Sequence, residues 1–75
     1  MSQRTAYERT HDSVILIDEI IGGLVISGQD DDVSAMRRNV DHLKIKINDP
    51  DFTTEQKAVL QVAINDGEAW LIAHE

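Results

Sequence analysis

The chain has no cysteine, a single proline, and only Tyr7, Phe52 and Trp70 as aromatics. Without cysteine there is no disulfide framework, and the redox compartment is left unmarked. With so few rings, the core has to be aliphatic, built from Ile, Leu and Val. Positive charge is also scarce: 7 Lys and Arg stand against 14 Asp and Glu, for a net charge of −7. Such an acidic chain is disfavoured on nucleic acid and on anionic membranes, while a basic partner stays open. Long apolar runs are missing as well. From Val14 to Ile26 every residue is aliphatic except Asp18, Glu19, Gly22 and Gly23. That stretch is shorter than the roughly 20 apolar residues a bilayer-spanning helix needs, and it holds two acids near its middle. The same acids, with no small-residue cleavage site behind them, argue against a secretory signal. The expected location is the cytoplasm, with no membrane association.

What is present is a single domain, residues 1–75, small enough that stability is marginal unless something adds to its core. With disulfides excluded and no metal motif, oligomerisation is the expected addition.

Apolar spacing predicts an all-α three-helix antiparallel bundle, with helices over about 5–27, 32–47 and 54–74. In the first, Tyr7, Thr10, Val14, Ile17, Ile21 and Leu24 follow the alternating steps of a heptad seam. Ile15, Leu16, Ile20, Val25 and Ile26 fall outside that seam and widen the apolar surface. Gly22-Gly23 admits several readings: a kink, an early helix end, close approach of another helix backbone, or the turn of a strand hairpin. Two glycines inside a helix cost about 1 kcal/mol each relative to alanine. Ser27-Gly28-Gln29 reads as a helix stop. The acids Asp30-Asp31-Asp32 then cap the second helix and complement its dipole. Val33, Met36, Val40, Leu43 and Ile47 form its inner stripe, with Arg37, Arg38, Asp41, Lys44 and Lys46 outside. Asp49-Pro50 ends it, since the residue before proline avoids helical geometry. Thr53 and Gln56 match a capping box for the third helix, with Phe52 packed over its first turn. Leu60, Ile64, Gly67 and Leu71 share one face of that helix; Val59, Ala63, Trp70 and Ala73 cover the adjacent one. Short connections make sequential helices antiparallel neighbours.

Catalytic and ligand signatures fail on spacing. His11, His42 and His74 fall one per helix, and none has a His or Cys ligand partner three or four residues on. Neither acidic loop satisfies the calcium-loop pattern: counting from Asp30 puts Ala35 at the glycine place and Asp41 at the bidentate place, and counting from Asp49 puts Thr54 and Leu60 there. Thr10-His11-Asp12-Ser13 holds triad residue types in a row, but adjacent helix residues point apart. Gly22-Gly23 lacks the lysine and spacing of a phosphate loop. A helix-turn-helix reading fails because the third helix has Lys57 as its only Lys or Arg. No enzyme activity, cofactor, metal or direct nucleic-acid contact is expected.

The stretch Arg38-Asn39-Val40-Asp41-His42-Leu43 through Pro50-Asp51-Phe52-Thr53, with Ala58-Val59-Leu60-Gln61, Ala63-Ile64 and Gly67-Glu68-Ala69-Trp70, resembles small helical accessory proteins of tailed phages and prophages. It covers roughly the second half of the chain. These are packing and capping residues, so the resemblance implies a phage or mobile-element setting and transfers no functional residue.

The expected function is a non-catalytic protein-interaction module that pairs with itself, as a homodimer or higher oligomer, with another protein as the further partner the reading leaves open. The residues expected at the interface are Ile15, Leu16, Ile20 and Ile26, beside the seam of the first helix. The alternative is an acidic inhibitor that imitates nucleic acid through Asp30, Asp31 and Asp32.

Overall fold

The computed structural model describes residues 5–23 and 32–74. Three α-helices account for most of them: α1 (Ala6–Ile21), α2 (Asp32–Lys46) and α3 (Thr54–His74), with no strand among the described residues. All three pairs of helices pack together. The start of α1 lies beside the end of α2, where Ala6, Arg9 and Thr10 share a shallow groove with His42 and Lys46. Tyr7 meets Phe52 edge-on, with ring centroids 5.8 Å apart, just ahead of α3. Farther along both helices, Ile17 approaches Gly67. Thus α1 and α3 run parallel and α2 runs back between them, an up-down-up bundle.

Local chemistry sets the helix ends. Thr53 and Gln56 form the expected capping box: the Thr53 hydroxyl accepts from the Gln56 N–H at 3.0 Å, and Gln56 Oε1 accepts from the Thr53 N–H at 2.9 Å. Thr5 and Glu8 make the same reciprocal pair at the start of α1, at 3.0 and 2.9 Å. Each box satisfies two backbone donors that the first helical turn would otherwise leave open. Between α2 and α3, the Asp49 carboxylate accepts from the Asp51 N–H at 2.9 Å, closing a turn around Pro50.

The expected extension of the first helix to residue 27 is corrected at the glycine pair. Helix α1 stops at Ile21, Gly22 caps it, and Gly23 turns to φ +81 while donating its N–H to the Ile20 carbonyl at 3.0 Å. A side chain disfavours that left-handed backbone, and glycine does not. Of the readings open for Gly22-Gly23, the early helix end is the one observed.

The core is aliphatic. Ile17, Met36, Leu43 and Leu60 are fully enclosed, with Val14, Ile20, Val40, Phe52, Ala63 and Ile64 around them. The inner stripe of α2 holds as expected at Met36, Val40 and Leu43, with Val33 and Ile47 packed partly against it. On α3 the buried stripe is Leu60, Ala63, Ile64, Gly67 and Leu71. On the adjacent face Ala63 is buried and Trp70 half-buried, while Val59 and Ala73 are exposed. Gly67 marks the tightest approach of the three helices. A Cβ there would sit 2.5 Å from Val40 Cγ2, 3.1 Å from Met36 Sδ and 3.6 Å from Ile17 Cγ2. The glycine that admits a close neighbour is therefore on α3, not in the pair at the end of α1.

Candidate functional site

Helix α1 buries Thr10, Ser13, Val14, Ile17 and Ile20. A heptad seam serves one partner helix, whereas α1 faces two and so buries a wider arc. Ser13 and Ile20 lie on the stripe that begins at Arg9, the side turned to α2; Val14 is on the side turned to α3. Thr10 is tolerated in this arc because its hydroxyl donates to the Ala6 carbonyl at 2.9 Å.

This wider arc corrects one expected interface residue. Ile20 is 2% exposed and belongs to the core. Ile21, expected inside, is the last residue of α1 and is 42% exposed. Ile15 is 45% exposed, and Leu16 is half-buried. Ile26 lies outside the described residues, as do Asp30 and Asp31 of the acidic cluster; Asp32 is exposed in the first turn of α2.

The exposed apolar surface of α1 does not stand alone. Between α1 and α3 runs an open groove of about 350 Å³ lined by Val14, Val59, Val62 and Ala63, with His11, Asp18 and Asp66 as its polar groups. Val59 is 41% and Val62 60% exposed. His11 also borders a second hollow, lined by Tyr7, Glu8, Asp12 and Ile15. Ile15 is one turn from both His11 and Asp18, so these two polar residues stand between it and the groove. The groove is thus a two-helix feature: Val14 of α1 and Ala63 of α3 form its buried floor, and Val59 and Val62 of α3 are its exposed aliphatics. Val62 is the surface residue that the sequence reading leaves unnamed, while Val59 stands there on the second face of α3. The signal was available, since both are β-branched residues lying off the Leu60–Ile64–Gly67–Leu71 stripe.

Chemically, this groove offers aliphatic contact beside one imidazole and two carboxylates. Among the described residues, no three His, Asp or Glu side chains converge so as to hold a metal ion. The three histidines are dispersed: His11 stacks obliquely near Tyr7 at 5.7 Å, His42 lies in the α1–α2 groove, and His74 stacks on Trp70 at 4.0 Å. No helix among the described residues is long and apolar enough to cross a membrane.

The opposite side of the bundle has different chemistry. The outer face of α2 carries Ile45, 71% exposed, on the helical stripe that includes Arg38 and Asp41. Lys44 flanks it and pairs with Glu68 of α3 at 3.0 Å. With Arg37, Arg38, Lys44 and Lys46 against Asp32 and Asp41, α2 is the one net-basic helix.

These features define a small all-α bundle of three helices with an apolar groove left open on its outer surface. Compared with known proteins, no family model matches the chain, nor does any curated protein or solved structure.

Proposed function

We propose that this chain is a non-catalytic protein-interaction module that associates with copies of itself, working in the cytoplasm as a small accessory or regulatory protein of a phage or other mobile element. It uses no cofactor and no direct nucleic-acid contact. The observation that carries the self-association is the pair Val59 and Val62, 41% and 60% exposed on the α1–α3 groove, with Ile15, 45% exposed, beyond His11 and Asp18 on α1. Isolated surface aliphatics are ordinary, but exposed aliphatics gathered on an open groove favour a contact surface. The mobile-element setting is supported only by the resemblance in the second half of the sequence.

Magnitudes place the contact in the weak range. Full burial of a Val or Ile contributes on the order of 1.5–3 kcal/mol, and these three are already about half covered, so each adds about 1 kcal/mol. Two copies contributing such residues gain several kcal/mol, set against an association cost of at least about 4 kcal/mol. The expected assembly is reversible and concentration-dependent. Sedimentation velocity from micromolar to millimolar protein tests this: the weight-average mass rises with concentration. A monomer of constant mass across the range refutes it.

A further inference from the structure

We draw no further inference here: the strongest candidate, the open α1–α3 groove with Val59 and Val62 exposed beside Asp18 and Asp66, carries nothing beyond the association proposed above, because nothing in the structure shows what covers it.

Discussion

Replacing Gly67 with alanine sets two well-characterised effects against each other, and the geometry decides between them. In an unobstructed helix, Gly→Ala gains about 1 kcal/mol from propensity. At Gly67 the added methyl would lie 2.5 Å from Val40 Cγ2 and 3.1 Å from Met36 Sδ. Met36 can adjust, because its unbranched thioether side chain has several torsions to share the shift. Val40 cannot, since a β-branched residue in a helix has essentially one χ1 well, and Val40 is enclosed in the core. Overpacking of this kind typically costs about 1–3 kcal/mol. With a contact so far inside van der Waals range, the upper part of that range applies, and the net effect is a destabilisation of about 1–2 kcal/mol. For a domain of this size that lowers the melting temperature by roughly 4–16 °C. Urea unfolding followed by circular dichroism measures it directly. A cycle with Val40→Ala isolates the cause. That change alone removes two buried methyls, at ~0.8 kcal/mol each, and adds a cavity term. In the double variant the new methyl on α3 occupies the space vacated on α2. The double variant should therefore be more stable than the sum of the single changes predicts, by about 1 kcal/mol or more. An alanine at position 67 that stabilises the protein, or strict additivity with Val40→Ala, would refute the close-approach reasoning.

Other consequences are as specific. Thr53→Ala and Thr5→Ala each remove a capping hydroxyl and are expected to cost about 1 kcal/mol. Their thermal melts should both shift down, and an unchanged melt in either would mean that its box adds nothing to stability. Gly23→Ala places a side chain at φ +81, at an expected cost of about 1–2 kcal/mol. Gly22→Ala, at a right-handed helical backbone, should cost clearly less; equal losses at the two positions would contradict the observed helix end. The self-association tested above completes the set.

How much of this was legible beforehand can be followed residue by residue. Apolar spacing, the Thr53–Gln56 box and the Asp49-Pro50 stop placed α2 and α3 within a residue of their observed ends, because all three act over a turn or less of chain. The box at Thr5 and Glu8 has the same spacing and was equally readable. The end of α1 was not: two glycines favour a stop, but the surrounding aliphatics favour continuation, and only the backbone conformation at Gly23 separates the two. Of the candidate surface, Ile15 and Val59 lie off the inner stripes in the sequence and are exposed in the fold, whereas Ile20 lies in the core and Val62 belongs to neither face that the spacing of α3 picks out.

The sequence by itself determined the class: helices, an aliphatic core, an acidic surface, and more apolar residues than one narrow seam requires. Those properties follow from local periodicity and composition. Only the tertiary structure decided which of the surplus apolar residues are covered, because that depends on how many neighbours each helix has and where they stand. Two neighbours draw Ile20 inward, the closeness of α3 leaves no room for a side chain at Gly67, and the groove beside α1 is bounded by valines from a helix more than thirty residues farther along the chain.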